Sequence, residues 1–237
     1  VRALARQRGG ARCLYALGIH PMCVDAASDH DLDVLRSTLR ACAGDPDLVA
    51  VGEIGLDFFV PGLDRARQER FFVAQLEMAR EFDLPVIVHA RRAVDAVIAA
   101  IRGIGGLRGV VHSFSGSAEQ AAQLHKLGFL LGIGGPVTYE RANRLRGLVA
   151  AMPLDQLLLE TDAPDQPGVD HRGERNEPAH LAKVLEVVAE LRGMPLADVA
   201  AATTANAELL FGLSGWSRRT AGVTRAATSP ITCSPGS

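Results

Sequence analysis

The sequence is nearly without net charge. Its 25 Lys and Arg residues stand against 27 Asp and Glu, for a formal charge of −2 and a pI of about 6.4. Bulk charge therefore gives no basis for tight non-specific nucleic-acid binding, although it leaves a local basic groove open. The four cysteines, Cys13, Cys23, Cys42 and Cys233, show no Cys-x-x-Cys spacing. They read as small core hydrophobes and one tail residue, in a reducing, cytoplasmic compartment. No secretory apolar segment opens the chain, and no apolar run reaches the roughly 18 residues of a membrane span. A membrane partner is not expected. Neither a GxGxxG nor a Walker motif offers a nucleotide site.

What is present is a repeating alternation. The 237 residues are 48% hydrophobic, enough for one large domain or two small ones. Six apolar segments stand out: "RCLYALGIHP" (12–21), "LVAVGEIGLD" (48–57), "PVIVHAR" (85–91), "GVVHSFSG" (109–116), "FLLGIGG" (129–135) and "LLLETDAP" (157–164). Near-continuous Val, Ile and Leu are what strands buried on both faces of a parallel sheet look like. Helical stretches lie between them. In 64–82, Phe71, Phe72, Leu76 and Ala79 share one face. In 117–128, Ser117 and Gln120 stand at capping-box spacing before Gly128. The stretch 178–211 reads as helical throughout, with Pro195 starting a new helix.

Strand–helix alternation predicts an α/β fold with a parallel sheet, in a single domain over 1–212. Residues 213–237 lose all periodicity and are rich in Ser, Thr, Gly and Pro, the composition of a disordered tail.

The polar residues fall at the carboxyl ends of the expected strands: His20, Glu53 and Asp57, His89 and Arg91, His112 and Ser113, Glu160 and Asp162. In a (β/α)8 barrel the strand ends converge on one mouth, and the chemistry sits there. An open doubly wound sheet binds ligands only near a switch point. Polar groups on nearly every strand favour the barrel. A closed barrel has eight strands, and six are found. Two strands and the helix between them are expected to be missing from the N-terminal side.

Glu53, His89, His112 and Asp162 come from four different strands. Taken singly, each has a plainer explanation: a hydrogen-bonded scaffold histidine, or a glutamate paired with Arg91 or Arg92. Together, imidazoles and carboxylates at equivalent strand ends are what Zn²⁺, Mn²⁺ or a similar ion asks for. A metal would also explain Asp162, a carboxylate at the end of a buried strand, since a buried charge is costly unless paired.

The motifs "GIHP", "VGEIGLDFF", "QLEMAREFDLPVIVHAR", "VVHSFSGS", "LLLETDAPD" and "RNEPAHL" resemble those of the TatD family of metal-dependent deoxyribonucleases, from about residue 12 to 212 and in family order. The variants "HARR", "ETDAPD" and "GIGGPVTY" are similar to an uncharacterised-hydrolase branch. The resemblance implies two divalent ions (Zn, Mg or Mn) in a complete chain. Glu53 would bridge them, and His89 and His112 would complete the second ion's ligands. Asp162 would ligand the first ion and take a proton from the attacking water. Arg91 would face a substrate phosphate and His20 would line the mouth. Met22 stands where the family usually has a histidine.

The family's Asp-x-His-x-His strand, which holds the first ion, has no counterpart in this sequence. The implied activity is phosphodiester hydrolysis at DNA 3′ ends, by a monomer. The alternatives are a hydrolase of a small ester, amide or lactone, or an inactive truncated chain. In the loop 165–178, Arg172 and Arg175 are candidates to hold a strand backbone.

Overall fold

All six apolar segments form strands, and all six join one parallel sheet. The computed structural model describes residues 13–213. Its elements run β1 (Tyr15–Leu17), α1 (Asp29–Ala41), β2 (Leu48–Asp57), α2 (Arg65–Glu81), β3 (Val86–Arg91), α3 (Val94–Ile104), β4 (Gly109–Val111), α4 (Ala118–Lys126), β5 (Phe129–Ile133), α5 (Asn143–Ala151), β6 (Leu157–Leu159), α6 (Leu181–Arg192) and α7 (Leu196–Leu210). Each strand pairs with its neighbours in sequence, so spatial order equals chain order. No switch point occurs among the described residues. This is the winding of a (β/α)8 barrel, of which these residues supply six strands. Strands β1 and β6 each have one strand neighbour among the described residues.

The helices begin where local chemistry tells them to. Asp64 caps α2 by accepting from the Arg67 amide. Ser117 and Gln120 form the expected capping box of α4. The stretch 178–211 breaks into two helices at Pro195, where a new one is expected. Gly193 adopts the left-handed conformation with φ 60° and ends α6, and Pro195 caps α7. The apolar faces meet the sheet in one large core that holds Phe71, Phe72, Leu76, Ile98, Leu124 and Phe129.

The expected strands are longer than the observed ones at β1, β4 and β6. Beyond β4 and β6 the cause is visible in the backbone. Ser113 has φ 45° and Asp162 has φ 58°, outside the β region, so the chain leaves the sheet just after Val111 and Leu159. His112, Ser113, Glu160 and Asp162 therefore sit on the first residues of loops. The expected core role of the cysteines holds for Cys42 alone. Cys23 is exposed and Cys13 is partly exposed. No helix among the described residues is long and apolar enough to cross a membrane. Nearly all of the expected tail, from residue 214 on, lies outside the described residues.

Candidate metal centre

The centre is built on Glu53. Strand β2 slips register against β3 between Val51 and Ile54, taking three steps along β2 for two along β3. Such a bulge re-aims a side chain at the rim of a sheet. Three imidazoles converge on one oxygen of the Glu53 carboxylate. His112 Nε2 lies 2.7 Å from Oε1, His89 Nδ1 lies 3.1 Å away, and so does His20 Nε2. His112 Nε2 and His89 Nδ1 are 3.4 Å apart. These contacts make two overlapping trios that share Glu53 and His89. One includes His20, and the other includes His112, whose nitrogen is nearer to the carboxylate.

The electrostatics follow from this packing. Burial pushes the Glu53 carboxyl up, and hydrogen bonds from His112, His20 and His89 outweigh it, holding the group far below the usual carboxylate range. For His112, burial pushes the imidazole down. The carboxylates of Glu160 and Glu53 prevail and raise it to about 10. Neither Arg91 nor Arg92 pairs with Glu53; the histidines fill that role.

Two buried glutamines of α2 hold the site from behind. Gln75 accepts from the Ile19 amide at 2.6 Å and donates to the Ile19 carbonyl at 3.1 Å, fixing the backbone next to His20. Gln68 does the same for Asp57, at 2.8 and 3.1 Å. They lie two helical turns apart on the apolar face, so both reach the same side. Each replaces backbone hydrogen bonds that the sheet does not supply. Sequence reasoning missed them. The signal was there, in two amides recurring every seven residues within an apolar stripe.

Asp162 lines the same cavity as His20, Glu53, His89, Arg91 and His112, a space of about 530 Å³. Its partner is not a cation. The amide of Gln166 donates to Asp162 Oδ2, and Ser113 Oγ donates to Gln166 Oε1 at 2.8 Å. Burial raises the Asp162 carboxyl above its usual range, against the pull of Gln166 and His112. Buried Asn176 donates to the carbonyls of Thr161 and Asp165, at 2.6 and 2.7 Å, and so pins the loop that carries Asp162. This is the work of the "RNEP" segment, beyond starting the turn at Pro178.

Arg91 stands at the cavity edge with its guanidinium 3.7 Å from the centre of the Phe59 ring, and Arg92 lies 4.6 Å from the same ring. Met22 also lines the cavity. Arg172 and Arg175 are exposed and do not. Asp165 and Gln166 are that loop's contribution.

The donor set fits a divalent ion. Imidazole nitrogens and a carboxylate oxygen, drawn from separate strands onto one point, are the ligands that such ions take. Fold and donor set together define a metal-dependent hydrolase of the (β/α)-barrel class. The TatD related DNase family matches residues 1–212. The uncharacterized metal-dependent hydrolase YjjV of Escherichia coli is 42% identical over 199 residues, which is 84% of this chain and 76% of that protein. The 3′-5′ ssDNA/RNA exonuclease TatD of Cronobacter sakazakii is 40% identical over 216 residues, covering 88% of this chain and 80% of that one. The crystal structure of YjjV, a TatD homolog from Escherichia coli, superimposes with a TM-score of 0.82 at 40% identity, covering 89% of this chain and 80% of the other. This chain belongs to the TatD related DNase family.

Proposed function

We propose that this site hydrolyses phosphodiesters, and that its substrate is a DNA 3′ end. The observation that carries the reading is the placement of Arg91 on the rim of a cavity whose floor is Glu53, His89 and His112. A guanidinium there offers a fork of donors to a phosphate, while the floor offers ligands to a divalent ion. The 40% identity to an enzyme named a 3′-5′ ssDNA/RNA exonuclease supports the same substrate class.

Glu53, His89 and His112 would hold one ion, with His20 as a fourth donor against the same oxygen. Asp162 and Glu53 are the donors left for a second. A bound ion would supply a nucleophile at neutral pH and offset charge on the phosphate. Around it, Arg91 binds and orients the phosphate. Asp162, raised by burial and held by Gln166, is placed to accept a proton from water. A cavity of about 530 Å³ at one mouth admits a strand terminus more readily than a duplex interior. A reducing, cytoplasmic setting and a monomeric state complete the proposal.

The test is an assay of the purified chain with Zn²⁺, Mg²⁺ or Mn²⁺ on 3′-labelled and 5′-labelled single strands, beside uncharged esters and lactones. Stepwise loss of the 3′ label is expected. Turnover of the uncharged panel with intact oligonucleotides would overturn the reading.

A further inference from the structure

Both histidines that face Glu53 from the central strands have a carboxylate behind them, on opposite ring nitrogens. His89 turns Nδ1 to Glu53, and its Nε2 lies 3.0 Å from Asp57 Oδ2. His112 turns Nε2 to Glu53, and its Nδ1 faces Glu160 Oε1 at 3.7 Å. Asp57 is the more constrained of the two. Its side chain is fully buried. Its other oxygen, Oδ1, accepts from the amides of Phe59 at 2.9 Å and Val60 at 3.1 Å. Gln68 holds its backbone on both sides. The carboxylate cannot turn away without leaving two amides unpaired, so Oδ2 is dedicated to His89.

A buried carboxylate oxygen accepts hydrogen bonds and donates none. Glu53 Oε1 also faces Nδ1, but a bound ion needs the Nδ1 lone pair, and the proton of the neutral His89 ring then belongs on Nε2, opposite the fixed Asp57 oxygen. We propose that Asp57 is a positioning residue that fixes the His89 tautomer and presents Nδ1 as a metal ligand. The inference rests on the reading that Glu53, His89 and His112 hold a divalent ion. It adds a residue that touches neither ion nor substrate.

Asp57→Asn separates this role from packing. The amide keeps an oxygen for Phe59 and Val60 and places an NH₂ opposite His89. That NH₂ donates to Nε2, drives the proton to Nδ1, and blocks the ligand position. Zn²⁺ alone serves as the probe, with the full chain, binding read by competition with a chelator and tautomers read from imidazole ¹⁵N spectra. In the Zn²⁺-loaded wild type, His89 should carry its proton on Nε2. In Asp57→Asn it should move to Nδ1, with affinity falling by about 10–100-fold, the range for a lost partner behind a ligand.

An Asp57→Asn protein with unchanged affinity and the proton still on Nε2 would overturn the inference. So would a Zn²⁺-loaded wild type with the proton on Nδ1, a result that needs no variant to fold. A wild type that takes up no Zn²⁺ at Glu53, His89 and His112 would instead overturn the metal reading beneath it.

Discussion

Gly132→Ala should damage the site without altering any proposed ligand. Gly132 lies in β5, and its carbonyl accepts from the Phe114 amide at 3.0 Å. A Cβ there would stand 2.2 Å from Glu160 Oε2, 2.7 Å from its carboxyl carbon and 3.0 Å from His112 Cα. Ordinary contact begins near 3.4 Å, so the carboxylate must retreat by more than 1 Å while the His112 backbone gives by a few tenths. Glu160 Oε1 accepts from the Ser113 amide and faces His112. A retreat of that size breaks the hydrogen bond from the Ser113 amide and leaves a part-buried donor unpaired, at about 1–3 kcal/mol. Overpacking a tight interior adds about 1–3 kcal/mol. A loss of a few kcal/mol is large against a typical stability of about 5–15 kcal/mol.

Gly134→Ala is the matched control. Its Cβ would meet Glu160 Cγ and the Glu160 carbonyl at 3.4 Å, in ordinary contact, with φ −120° that any residue adopts. Urea unfolding of both variants and Zn²⁺ affinity by chelator competition decide the matter. Gly132→Ala should lose a few kcal/mol and bind Zn²⁺ at least about tenfold more weakly. Gly134→Ala should lose clearly less stability than Gly132→Ala and keep its Zn²⁺ affinity, because its Cβ makes only ordinary contacts. If both behave like wild type, the packing of Glu160 against this glycine has no bearing on the site.

Glu53→Ala should strip the protein of metal, because one oxygen of Glu53 is the point on which His20, His89 and His112 converge; metal content by mass spectrometry equal to wild type would refute this. Arg91→Ala should raise the KM for a phosphodiester about tenfold or more with metal content unchanged, and an equal loss on an uncharged ester would show Arg91 to be structural. The metal-free protein should lose stability as pH rises. His112 is raised from 6.5 to about 10, so its contribution is complete below about 6.5 and drains away up to about 10. A urea midpoint that climbs between pH 7 and 9.5 in chelator would contradict that sign. Over the same range Zn²⁺ should bind more tightly, since it competes with the His112 proton.

The six strands were legible in the sequence because each is a run of Val, Ile and Leu that ends on a polar residue, and the barrel convention says where those ends meet. That logic put Glu53, His89, His112 and Asp162 into one cavity. It could not say which atoms face each other. The approach of His20 to Glu53 depends on Gln75, a residue of α2 that is 56 positions from Ile19 and clamps its backbone. The partner of His89 is Asp57, whose place in the sequence marks it only as the last residue of a strand. Its burial and its two amide contacts arise from the turn that follows and from Gln68. Patterns of hydrophobicity carry strand and helix faces, but a side chain that pairs with a backbone on another element leaves no period to read.

Asp162 shows the same limit from the other side. Its burial at the end of three leucines called for a cation to offset the charge. The fold answers with a neutral amide, Gln166, four residues on and itself held by Ser113. A neutral donor stabilises the carboxylate less than a cation would, and burial keeps the group raised. A carboxylate pinned by Asn176 and Gln166 but left without an ion pair retains its capacity to take a proton or a metal. Had an arginine filled that place, the charge would have been settled and the group lost to chemistry. Glu53 is paired, but with imidazoles and not with the neighbouring Arg91 or Arg92. Imidazole nitrogens can give up a proton and turn to an ion, and a guanidinium cannot.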